Sequence, residues 1–124
     1  MRKERPKNLD LATVKFPITA TASILHRVSG IIVFIALAIF LTLLNCSLSS
    51  EADFNRIAGY MDNLIIEFIM WGCLTGLAYH AVFGVRHMIQ DLGFWEEMDT
   101  ASLSAKVGFV LTVVLSVLAG ILVW

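Results

Sequence analysis

The chain has 124 residues, of which 58% are hydrophobic and only 15% charged, with a formal net charge of -1. A soluble domain carries about 25% charged residues, and one membrane crossing takes roughly 20 apolar ones. Three crossings therefore fit, a soluble catalytic domain does not, and any redox chemistry needs its substrate site on another subunit.

Residues 1–18 read as a polar, basic N-terminal arm containing Pro6 and Pro17. Pro17 has no amide donor to lose, which suits the first turn of a helix. A basic start ahead of an apolar run is also the layout of a signal peptide. Val28 to Ser50, however, is uncharged throughout. That is longer than the ~7–15-residue apolar stretch of a signal, and no A-x-A-like site follows. The segment is read as a retained span, helix I, over residues 19–48. It exceeds one crossing, so its first two turns are expected at the membrane surface.

A polar loop from Ser49 to Asn63 follows, with Glu51, Asp53, Arg56 and Asp62 and room for a short surface helix. Helix II is expected over residues 64–90, with an uncharged core from Phe68 to Val85 that contains His80. Asp91 to Ala105 reads as a second loop holding Glu96, Glu97 and Asp99, and helix III as residues 106–124. The fold class is an all-α membrane protein of three transmembrane helices in a single unit. Cys46 and Cys73 stand alone, without a C-x-x-C or metal-ligand spacing, and read as small apolar core residues.

Lysine and arginine set the expected orientation. Three crossings place Arg2, Lys3, Arg5, Lys7, Lys15, Arg27, Arg86 and Lys106 on one side and only Arg56 on the other. The N-terminus is then cytoplasmic and Trp124 lies on the far side. Phe94 and Trp95 at one surface and Trp124 at the other suit interfacial aromatic belts.

Two stretches carry chemistry. In helix I, Ser23, His26, Arg27 and Gly30 fall at i, i+3, i+4 and i+7 and share a face. A hydroxyl, an imidazole and a guanidinium there suit an anionic or carbonyl-bearing ligand. Equally, Arg27 snorkels to lipid headgroups and Ser23 only caps or packs. In helix II, His80 lies six residues before Arg86, ~9 Å deeper at 1.5 Å per residue. An ionisable residue within the membrane is costly and functional by default, and imidazole is an axial ligand of haem iron.

Gly72, Gly76 and Gly84 lie at i-8, i-4 and i+4 from His80 and make a smooth stripe. Either a flat porphyrin approaches the backbone there, or a second helix packs on small residues with His80 hydrogen-bonded across the contact. His87, on the same face at the cytoplasmic edge beside Arg86, either meets haem propionates or is solvated. Ser23, His26, Arg27, Arg86, His87 and Asp91 are expected at one membrane depth, as a collar where propionate charge is satisfied.

The runs S-I-L-H-R-V-S-G and H-A-V-F-G-V-R-H-M-I-Q-D resemble the cytochrome b subunit of bacterial succinate dehydrogenase. The arm R-P-K-N-L-D-L, the F-P-I-T-A after it and the closing L-A-G-I-L-V-W are similar to that family as well, so the resemblance spans essentially the whole chain. It implies one half of a heterodimeric helical bundle around haem b, with His80 as one axial ligand and a histidine of a second three-helix subunit as the other.

The same resemblance implies that Ser23 and Arg27 line a ubiquinone site, and that His26 and Arg27 lie near the haem propionates. It also implies that an iron–sulfur and a flavoprotein subunit dock on the cytoplasmic face of a bacterial inner membrane. No activity is expected of the chain alone and no nucleic acid among its partners. Asp91 is either a proton relay or a plain loop carboxylate. The competing readings are a fumarate reductase anchor and a haem-free small membrane transporter or anchor. His80 in its glycine stripe argues against both.

Overall fold

The computed structural model describes residues 7, 9, 10 and 12–124. Arg2, Lys3 and Arg5 of the charge count, and Arg5, Pro6, Asn8 and Leu11 of the arm motif, lie outside the described residues. Four helices follow in order: α1 (Ile18–Ser47), α2 (Glu51–Met61), α3 (Leu64–Asp91) and α4 (Met98–Val123). Among the described residues there is no strand. Three helices, α1, α3 and α4, are long and apolar enough to cross a membrane, which with their exposed apolar faces makes the chain a multi-pass membrane protein.

Local chemistry sets the boundaries. Pro17 stands at the N-cap of α1 with extended backbone, one residue outside the helix, and its carbonyl accepts from the amides of Ala20 and Thr21. Ser50 caps α2 by accepting from the Asp53 amide at 3.0 Å, and Asn63 caps α3 by accepting from the Ile65 amide at 3.0 Å. Such caps satisfy amides that the first helical turn leaves unpaired. At the other end of α3, Gly93 takes a left-handed φ of 88°. The Gly93 amide then reaches Gln90 O at 2.9 Å and the Phe94 amide reaches Ile89 O at 3.3 Å. This crossed pair is a Schellman ending, which needs a residue without a Cβ penalty.

Helix III corrects the reading of its sequence. It begins at Met98, not Lys106. A charge was read as the membrane border and so as the helix start, but a helix need not stop where the bilayer does. Ala101, Ala105, Gly108 and Thr112 are all buried, and they lie at i, i+4, i+7 and i+11 on one face. The early turns of α4 are thus held against α3 by small residues, which let two backbones approach closely.

Helix α3 is central and antiparallel to both neighbours. Towards α4, the fully buried Phe83 ring lies on Gly108. Trp71 Nε1 donates to Ser116 O at 2.9 Å, and the Thr75 and Ser116 hydroxyls are 2.8 Å apart. Towards α1, the Tyr79 hydroxyl donates to Ala22 O at 2.9 Å, and Gly76 lies under Ile32. The buried residues of α1 are Ala22, Ser29 and Ala36, a small-residue repeat every seventh position. Much apolar surface stays outside: Ile31, Phe34, Leu118 and Leu122 are all exposed. Lipid or further helices must cover such surface in a membrane.

A histidine cluster between the first and third helices

The antiparallel crossing of α1 and α3 brings three imidazoles together. The His26 and His80 rings are stacked, with centroids 4.4 Å apart and planes within 3°. His87 lies about two turns further along α3, with its ring centroid 5.0 Å from that of His26. Glycines make this approach possible. A Cβ at Gly84 would stand 3.4 Å from His26 Nε2, and one at Gly30 would stand 3.3 Å from His80 Cε1. The glycine stripe of α3 therefore packs α1 at Gly76 and Gly84, while Gly72 is exposed with nothing near its missing Cβ.

Hydrogen bonding divides the cluster unevenly. His80 Nδ1 is 3.1 Å from the Ser29 hydroxyl, and that hydroxyl donates to His26 O at 2.7 Å. His26 Nε2 is buried and has no hydrogen-bond partner among the described residues. A buried polar atom without a partner is uncommon, because leaving it unpaired costs about 1–3 kcal/mol. Among the described residues no group of three or more His, Cys, Asp or Glu could hold a metal ion alone. A haem brings four nitrogen ligands of its own and could be held by a single imidazole of a chain. The half-buried His80, with one ring nitrogen engaged by Ser29, fits that demand.

The remaining expected site residues separate from the cluster. Ser23 is half-buried, while Arg27 and Asp91 are exposed. None of them joins the cluster by a hydrogen bond or ring contact among the described residues. Asp91 is the last residue of α3.

Arg86 departs most from expectation. It was placed in the basic collar beside His87 but is buried, 5% exposed, on the α4 side of α3. Its Nε donates to Ser104 Oγ at 2.9 Å, Nη1 to Gln90 Oε1 at 3.0 Å and Nη2 to Ala101 O at 2.9 Å. Gln90 in turn donates to Trp95 O at 3.4 Å. Arg86 thus fastens the α3–α4 turn and takes no part in the collar. Its angular position was the available signal, because six residues on from His80 is about 120° around a helix of 3.6 residues per turn.

Ser29 was missed as a site residue. Its seven-residue spacing from Ala22 and Ala36 is visible in the sequence, but its contact with His80 is not. Cys46 is exposed and Cys73 half-buried, both as free thiols. Cys46 thus stands outside the core in which it was expected.

The chain is similar along its length to known proteins. The chain is 35% identical to the succinate dehydrogenase cytochrome b556 subunit of Coxiella burnetii, over 100% of both chains. It is 30% identical to the cytochrome b560 subunit of Reclinomonas americana, covering 98% of this chain and 88% of that one. The cytochrome b556 subunit of Rickettsia bellii is 32% identical over 98% of this chain and 91% of the relative. The family model for the succinate dehydrogenase/fumarate reductase transmembrane subunit matches residues 1–119, and the chain belongs to that family.

Proposed function

We propose that the chain is the haem-carrying membrane anchor of a succinate:ubiquinone oxidoreductase. It pairs there with a second three-helix subunit and carries an iron–sulfur and a flavoprotein subunit on the cytoplasmic face of a bacterial inner membrane. The observation that carries the reading is His80, braced by Ser29 and stacked on His26, on the side of α3 away from α4. The relatives, named as cytochrome b subunits of succinate dehydrogenase, favour succinate oxidation over fumarate reduction as the physiological direction.

In this reading His80 would hold the iron of haem b through its Nε2, and a histidine of the second three-helix subunit would share in holding it. The bound haem supplies a one-electron reservoir beside the quinone. His26 and His87, with Arg27 next to His26 in sequence, meet the propionates. Their shared position at the N-terminal end of α1 and the C-terminal end of α3 supports that role. Ser23 and Arg27 donate hydrogen bonds to a quinone carbonyl, where negative charge builds on reduction and fixed donors stabilise it. The exposed Asp91 carboxylate relays protons from the cytoplasm. The distribution of lysine and arginine supports a cytoplasmic N-terminus, although Arg86 is engaged within the chain.

The test is purification of the tagged chain from its native membrane. Flavoprotein, iron–sulfur and second anchor subunits should co-purify with succinate:quinone activity, and a reporter active only outside the cytoplasm should work when fused after Trp124. Purification without those subunits, or with fumarate reduction as the dominant activity, would overturn the assignment.

A further inference from the structure

The Ser29 hydroxyl bridges two acceptor-capable groups, and its single proton decides what each can be. Its oxygen is 2.7 Å from the carbonyl of His26. A carbonyl only accepts, so the hydroxyl proton is committed there, in the i to i-3 back-bond that helical serines make. The contact of 3.1 Å with His80 Nδ1 must then run the other way, with the serine oxygen accepting. A neutral imidazole carries one proton. If Nδ1–H donates to Ser29, Nε2 is left with a free lone pair.

We propose that Ser29 is a positioning residue for the haem site: it fixes the Nδ1–H tautomer and the ring orientation of His80, so that Nε2 is the nitrogen presented to iron. The proposal rests on the reading of His80 as an axial ligand. Three features of the fold support it independently. Ser29 is buried, 5% exposed, so water does not compete for its oxygen. It sits on the small-residue face of α1 between Ala22 and Ala36, which holds α1 close enough to α3 for the contact. Gly30, the next residue, leaves room for the ring, because a Cβ there would stand 3.3 Å from His80 Cε1. A ligand histidine that donates its other nitrogen to an acceptor is a stronger donor to the metal, and hydrogen bonding beyond the ligand tunes the potential of a haem.

The experiment compares Ser29→Ala with Ser29→Thr in the intact purified complex. Haem content, the haem midpoint potential and the low-temperature electron paramagnetic resonance of the oxidised haem are read in each. Ser29→Ala should retain haem but raise the midpoint potential, because the weaker imidazole donor stabilises the ferric state less. It should also shift the low-spin signal, as the ring is freed to turn. Ser29→Thr keeps the hydroxyl and should restore both readings towards the wild type. If Ser29→Ala does not assemble, Ser29→Val and Ser29→Thr, similar in shape and different in the hydroxyl, carry the same comparison.

A Ser29→Ala complex with wild-type potential and signal would overturn the proposal. So would equal shifts in the hydroxyl-bearing and hydroxyl-free variants, which would trace the effect to packing. A wild-type complex without haem b would instead sink the underlying reading of His80, so the two failures are distinguishable.

Discussion

The two sides of α3 are built for different ends. The side facing α4 is closed. Phe83 is fully buried, Trp71 and Thr75 find partners on Ser116, and the Arg86 guanidinium makes three hydrogen bonds within the chain. The side facing α1 is not. It gathers three imidazoles, leaves one buried nitrogen without a partner among the described residues and keeps His80 only half-buried. A charged residue held by three hydrogen bonds inside the chain is explained without a ligand. Polar atoms left over within a membrane-spanning helix do. The more conspicuous charge, Arg86, is thus held within the chain, and the quieter imidazoles are the residues proposed to carry the function.

The largest effect we predict outside the histidines is on the quinone. Arg27→Leu should abolish quinone reduction while succinate oxidation by an artificial dye stays largely intact, since the flavin site is proposed to lie in another subunit. Losing a charged donor costs about 1.5–3 kcal/mol. Haem content must be measured beside activity, because the same guanidinium is proposed to meet a propionate. Normal quinone reduction with normal haem would reduce Arg27 to an anchor in the lipid headgroups.

The closed side is tested at Gly108. A Cβ there would stand 2.9 Å from Phe83 Cζ, and that ring is fully buried and hemmed in by Tyr79 and Phe109. Gly108→Ala should lower the stability of the complex by about 1–3 kcal/mol, the usual cost of overpacking. Thermal unfolding in detergent would read it, with the haem spectrum unchanged. A spectral change as large as the stability change would mean that the two sides of α3 are coupled.

Ser23→Ala should be milder than Arg27→Leu in quinone reduction, because a neutral hydrogen bond contributes about 0.5–1.5 kcal/mol net. The smallest effect is expected at Gly72, where an added Cβ meets nothing within 4 Å. Gly72→Ala should leave thermal unfolding of the complex where it was. A loss matching that of Gly108→Ala would show a helix of another subunit packed on that stretch of α3.

These contrasts also mark what the sequence could tell. That α1 and α3 are long apolar spans was legible because long uncharged runs have few alternatives in a bilayer. The shared face of His80 and His87, seven residues apart, followed from helical spacing, and their meeting with His26 from the antiparallel order of two successive spans. The direction of Arg86 was obscured by a charge-based reading that treats every arginine near a span's end as a headgroup anchor. The first turns of α4 were obscured in the same way by Lys106. The Ser29–His80 contact depends on how closely α1 approaches α3. That distance is set by Ala22, Gly30 and Gly84 together, and no local pattern announces it.

The central claim is that the open side of α3 holds haem through His80. Reduced-minus-oxidised absorption spectra of the purified complex, wild type beside His80→Leu, test it most directly. The wild type should show a low-spin haem b with two histidine ligands. His80→Leu should lose that spectrum or distort it severely, while the chain still inserts, because leucine is cheaper than histidine in the bilayer. An unchanged low-spin spectrum in His80→Leu would contradict the account.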